Sequence, residues 1–161
     1  MSIMKRMTFI TLVCAVFSTL FISSLAASVI SVDGSENVGL FGEPYYATVG
    51  QTFRLNAGDD AYLQSWTFYV NDALNTDVID FGFYLYAWDG RQITGSSLYE
   101  SGPMSTTGQD GYETVTVSTG GVLLQQEVDY VAFLSASQYF DSVAGDGYVR
   151  GSTSNPYANG Q

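Results

Sequence analysis

The chemistry open to this chain is set by sixteen Asp and Glu residues, no histidine, and a single cysteine, Cys14, inside an N-terminal apolar run. Without imidazole there is no Ser-His-Asp triad and no histidine-held zinc centre. Cys14 follows Thr11-Leu12-Val13, which lacks the small residue a lipid-modified cysteine wants, and the apolar run continues beyond it. The reaction class that survives is glycosidic cleavage, which needs only two carboxyl groups flanking a bond. Asp77, Asp80, Asp89, Glu100 and Glu113 are available for it, yet no spacing singles out a pair. Catalysis is therefore not the expected function.

Hard cations are the second option for so many oxygens, because Asp, Asn and Gly loops suit calcium. The segments 56–60, 71–77 and 141–146 have that composition, and Asn56, Asp59 and Asp60 are the candidate ligands of a structural calcium. None of the three follows the Asp-x-Asp-x-Asp-Gly order of an EF-hand, and solvated acidic turns are the simpler account. No other cofactor is expected.

Aromatic residues offer a third kind of site. Between Asp80 and Trp88, Phe81, Phe83, Leu85 and Ala87 alternate with Tyr84, Tyr86 and Trp88, so both faces of one strand are apolar. The plain account is a central strand covered on both sides, or tyrosines that pack while their hydroxyls reach water. The functional account is an aromatic platform for sugar rings, built from Tyr84, Tyr86, Trp88 and Tyr99.

These side chains need strands to position them. β-Branched and aromatic runs separated by Gly, Asn, Asp and Ser predict strands over 45–55, 63–70, 80–88, 97–101, 112–118, 129–135 and 148–151, with a short one at 122–124. Breaks are expected at 56–60, 71–76, 89–90, 107–111 and 120–121. No helical period appears after Val29. In 63–70 the set Trp66, Phe68, Val70 is expected inside, and Val115 and Val117 are expected to face inward against Thr114, Thr116 and Ser118. The fold class is all-β: a two-sheet antiparallel sandwich, jelly-roll or immunoglobulin-like, preceded by a helical signal peptide.

Lys5 and Arg6 before the apolar stretch Phe9 to Leu25, followed by Ser24 and Ala26, have the grammar of a signal peptide over residues 1–26. Cleavage after Ala26 leaves residues 27–161 as one domain. That part keeps Arg54, Arg91 and Arg150 against sixteen acids, a net charge of 3 minus 16, or −13. Binding to nucleic acid by phosphate neutralisation is disfavoured. The exported part has no cysteine, so it must be stable without disulfides.

The order of several segments goes further. Phe41-Gly42-Glu43-Pro44, Ala47-Thr48-Val49-Gly50-Gln51-Thr52-Phe53, Phe83 through Gly90, Leu98-Tyr99-Glu100-Ser101-Gly102, Thr119-Gly120-Gly121-Val122 and Tyr130 through Ser135 together resemble a group of uncharacterised exported bacterial β-sandwich proteins. Many of those end in a PEP-CTERM sorting and anchoring tail. The resemblance implies a place in the envelope or extracellular layer of a Gram-negative bacterium and no catalytic residues. Pro-Glu-Pro and a following apolar helix are missing before Gln161, so either an anchor lies beyond a truncation or the protein is released without membrane attachment. The expected function is an exported, non-catalytic module that binds extracellular polysaccharide; the alternative is a carboxylate-dependent glycan-active enzyme.

Overall fold

The computed structural model describes Val29, Gly34 and residues 36–72 and 77–152. The expected leader (1–26), part of the 71–77 loop and the tail from 153 onward lie outside the described residues. Among the described residues every regular element is a strand: β1 (Glu36–Glu43), β2 (Thr48–Arg54), β3 (Tyr62–Asn71), β4 (Asp80–Trp88), β5 (Ile93–Glu100), β6 (Met104–Ser105), β7 (Glu113–Leu123), β8 (Asp129–Ser135) and β9 (Gly145–Gly151).

The strands form two antiparallel sheets, one of four strands in the order β1-β9-β3-β7 and one of five in the order β2-β8-β4-β5, with β6 paired to β4. Apart from the β4–β5 hairpin and β6, successive strands cross from one sheet to the other. That crossing sets the two sheets face to face with the buried side chains between them. The all-β sandwich expected from the alternation is the observed architecture.

The core lies between the sheets. Phe81, Phe83 and Leu85 of β4 are fully buried, and burying such a side chain stabilises by about 1.5–3 kcal/mol. The opposite sheet contributes Phe68, Val70, Val115 and Val117, all buried. Trp66 is half-buried and bridges the layers, with its ring centroid 4.9 Å from Phe53 and 6.1 Å from Phe68. Phe68 in turn meets Phe83 edge-on at 6.0 Å. The sets expected inside 63–70 and 112–118 are therefore the inward ones.

Several boundaries differ from the sequence reading, each for a local reason. Strand β1 is an addition to the expected strands, which begin at Tyr45. Its Phe41 is buried in the core. Gly42 takes a φ of +111°, and a Cβ there would sit 2.2 Å from the Gly145 carbonyl oxygen, so the glycine allows β1 and β9 to close up rather than ending the strand. The expected strand 45–55 shortens to β2, leaving Tyr45 and Tyr46 exposed in the preceding turn. Gly120-Gly121 is not a break. The pairing slips between Leu63 and Ser65, so the glycines form a bulge that keeps β7 continuous through the expected separate strand at 122–124. Strand β5 starts at Ile93 rather than 97, through a similar slip opposite Tyr86.

Candidate functional site

The pairing registers fix which outward side chains share the open face of the five-stranded sheet. Gly50 of β2 lies opposite Phe133 of β8, and Phe133 lies opposite Tyr84 of β4, which in turn lies opposite Glu100 of β5. The next outward row is Thr52, Val131 and Tyr86. The third begins with the Arg54–Asp129 pair and ends with Trp88 facing Ile93. Three aromatic residues of one strand thus stand beside a fourth from its neighbour.

Their rings are organised. Phe133 stacks on Tyr84 with centroids 5.3 Å apart and planes 20° apart, and on Tyr86 at 6.0 Å and 17°. Offset stacking of this kind adds about 0.5–1.5 kcal/mol beyond area burial. The two tyrosines therefore direct ring faces at Phe133, and the Tyr84 ring folds back over Gly82, its hydroxyl 3.0 Å from where a Cβ of that residue would sit and beside Tyr139. Tyr86 donates its hydroxyl to the Glu100 carboxylate at 3.2 Å. Partial burial raises the Tyr86 phenol above its ordinary value, and the bond to Glu100 adds to the shift. Tyr84 is also raised, by partial burial first and by neighbouring Tyr139 and Glu100 next.

Beside this stack Trp88 borders a shallow open groove of about 290 Å³ lined by Thr48, Gly50, Thr52, Ile93, Val131 and Phe133. Gly50 makes the floor. A Cβ at that position would lie 2.5 Å from the Phe133 Cβ and 2.7 Å from the Ala132 carbonyl oxygen, so any side chain there would push β2 from β8. The volume is at the low end of the ~300–1,000 Å³ typical of ligand pockets. A space so small and open supports a ligand laid across it rather than one engulfed. At opposite ends of β2, Arg54 holds Asp129 through two bonds, 2.8 and 3.1 Å, and Thr48 donates to the Ser135 hydroxyl at 3.1 Å.

The structure brings together Tyr84, Tyr86 and Trp88 but not Tyr99. Tyr99 pairs across from Leu85 and so points to the opposite side of the sheet, packing on Phe83 with centroids 5.9 Å apart. Its place in the expected four-residue platform is corrected accordingly. The bulge between Tyr99 and Thr94 that would have warned of this cannot be read from alternation, because a slip of register changes which side a residue faces. Sequence reasoning missed Phe133, Val131, Gly50 and the two threonines. The alternation of 129–135 held the signal for Val131 and Phe133; only the strand order reveals that they adjoin β4.

The candidate calcium loop is bonded to itself. Asp59 Oδ2 accepts the Asn56 backbone N–H at 2.8 Å and its side-chain amide at 3.3 Å, while Asp60 Oδ1 accepts the Tyr62 N–H at 3.0 Å. Glu127 reaches over to accept the Ala57 N–H at 2.9 Å. Among the described residues no three His, Cys, Asp or Glu side chains converge as a metal site would require.

Of the carboxylates considered for catalysis, Asp77 and Asp80 line one small pocket with Glu43 and Asp141, while Asp89, Glu100 and Glu113 stand elsewhere. Asp89 accepts the Gln92 and Arg91 N–H groups of the β4–β5 turn at 2.9 and 2.8 Å, and those bonds hold its carboxyl below the usual range. Glu113 accepts the Thr107 N–H at 2.9 Å, and Asp80 accepts a hydroxyl bond from Ser105. Asp77 accepts the Val78 N–H at 3.0 Å. The groove beside Trp88 is lined by no Asp or Glu.

No family model, curated protein or solved structure matches this chain.

Proposed function

We propose that this protein is an exported, non-catalytic module that binds extracellular polysaccharide on the open face of its five-stranded sheet. The observation that carries the reading is the position of Trp88, half-exposed at the border of an open groove that also offers Thr48, Thr52 and the edge of Phe133. An indole face gives a sugar ring an apolar surface, and threonine hydroxyls both donate and accept, as sugar hydroxyls do. The groove has no carboxylate to protonate a glycosidic oxygen, which favours retention over cleavage. Export rests on Lys5, Arg6 and the apolar run to Leu25, and an envelope location rests on the resemblance of segments such as Phe83 through Gly90. The strand orders β1-β9-β3-β7 and β2-β8-β4-β5 favour a jelly roll over an immunoglobulin-like wrap, since the chain shuttles between sheets.

Affinity electrophoresis through gels containing soluble polysaccharides tests the reading. The intact chain is retarded by at least one polymer, releases no new reducing ends, and loses retardation in Trp88→Ala with its melting curve intact. Equal retardation of Trp88→Ala would dismiss the groove, and new reducing ends would favour the carboxylate enzyme. N-terminal sequencing of the exported protein tests the leader: Ala27 is the expected first residue.

A further inference from the structure

Resting on that reading of the groove, we propose that the ligand is a neutral glycan and that acidic glycans, whether uronate or sulfated, are excluded. Recognition of a polyanion needs cations presented to it, and the groove lining of Thr48, Gly50, Thr52, Trp88, Ile93, Val131 and Phe133 supplies none. Arg91 stands in the β4–β5 turn two residues after Asp89, whose ionised carboxyl offsets its charge, and the cation nearest in register is Arg54, one row along from Thr52. Its guanidinium is clamped by Asp129 through Nε and a terminal nitrogen at 2.8 and 3.1 Å, so the pair presents no net charge to an incoming ligand. Arg150 stands on the other sheet, over the Tyr112 ring with its guanidinium carbon 5.7 Å from the centroid.

Negative charge meanwhile borders the aromatic strip. Glu100 holds the Tyr86 hydroxyl at 3.2 Å, while the turn next to Trp88 carries Asp89, kept ionised by two backbone amides, together with Arg91, so that their charges offset. The whole chain carries a formal net charge of −11 at pH 7. Charges within the ~8 Å Debye length of physiological salt act on a bound polymer largely unscreened, so the local balance opposes a polyanion even where bulk repulsion is damped. A neutral pyranose chain meets no such penalty, and its hydroxyls match the threonine rim.

The test uses the full exported chain in affinity gels at physiological salt. The neutral probes are hydroxyethyl cellulose, xylan, galactomannan and laminarin; the acidic ones are alginate, polygalacturonate and chondroitin sulfate. Retardation by a neutral polymer with none by the acidic set, abolished in Trp88→Ala, is the expected result. Asp129→Asn, which unclamps Arg54, should gain retardation by alginate. Trp88-dependent retardation of the intact chain by an acidic polymer would overturn the neutral-ligand inference while sparing the groove. No retardation by any probe would overturn the inference and the groove reading together. Failure of Asp129→Asn to gain alginate binding would contradict the role given to the ion pair.

Discussion

The Tyr99 hydroxyl donates to the Ser118 carbonyl oxygen across 3.0 Å, tying the last strand of the five-stranded sheet to the last strand of the four-stranded one. This bond is an inter-sheet clasp, and it assigns Tyr99 to the fold rather than to the open face. Tyr99→Phe should lose about 0.5–1.5 kcal/mol of stability, the net worth of one hydrogen bond, with glycan retention unchanged. Chemical denaturation and affinity gels on the same sample check both halves.

Trp88→Ala removes the indole from a half-exposed position, so its effect on stability should be small. A central aromatic anchor of a binding face costs ~2 kcal/mol or more when truncated, about thirtyfold in Kd. Trp88→Phe should recover part of that loss, because a smaller ring still stacks.

Ile79 and Thr106 hold each other through two bonds, the Ile79 N–H donating to Thr106 Oγ1 at 2.8 Å and the Thr106 N–H to the Ile79 carbonyl at 3.0 Å. Both residues are buried. Thr106→Val keeps the shape and leaves the Ile79 N–H without its acceptor, which should cost about 1–3 kcal/mol. Thr106→Ser, retaining the hydroxyl, should cost less; equal losses in urea denaturation would contradict the clip.

Alkaline titration probes the aromatic strip. Burial and the carboxylate of Glu100 favour neutral phenols at Tyr84 and Tyr86, so their folded pKa values lie above the ordinary value of 10.0. Folding therefore gains from these groups fully below pH 10 and loses that contribution as pH rises through the folded values. Ultraviolet difference spectroscopy should show Tyr84→Phe and Tyr86→Phe each removing a late-titrating phenol, and stability should fall as pH climbs beyond 10.

Calcium gives a separate test of the 56–60 loop. Because Asp59 and Asp60 accept the loop's own amides and a calcium ion wants about 6–8 oxygens, millimolar calcium should leave the melting temperature unchanged. A rise with calcium that a chelator reverses would establish a stapling site by mass action.

How much of this was legible in the sequence depended on whether it was local. Alternation alone places Phe68, Val70, Val115 and Val117 inward, since period two is a property of one strand. It also separates Phe81 and Phe83 from Tyr84 and Tyr86. What a single strand cannot declare is its neighbour. That β8 lies between β2 and β4, bringing Phe133 against Tyr84 and Gly50 against Phe133, follows from sheet order and register. Glycine misled at one place: Gly120-Gly121 read as a stop, yet the pair forms a bulge within continuous pairing. Tyr99 was assigned to the wrong side because the slip between Leu85 and Ala87 leaves no mark in the alternation.

The chain has two tryptophans, and Trp66 packs against Phe53 and Phe68 of the core. Trp66→Phe therefore leaves Trp88 as the sole indole and a direct reporter of the groove. Titrating that variant with a neutral oligosaccharide that retards the intact chain should shift the Trp88 emission saturably and shield it from acrylamide, with the same Kd as retention. Saturable binding that leaves Trp88 emission and quenching unchanged would contradict the account.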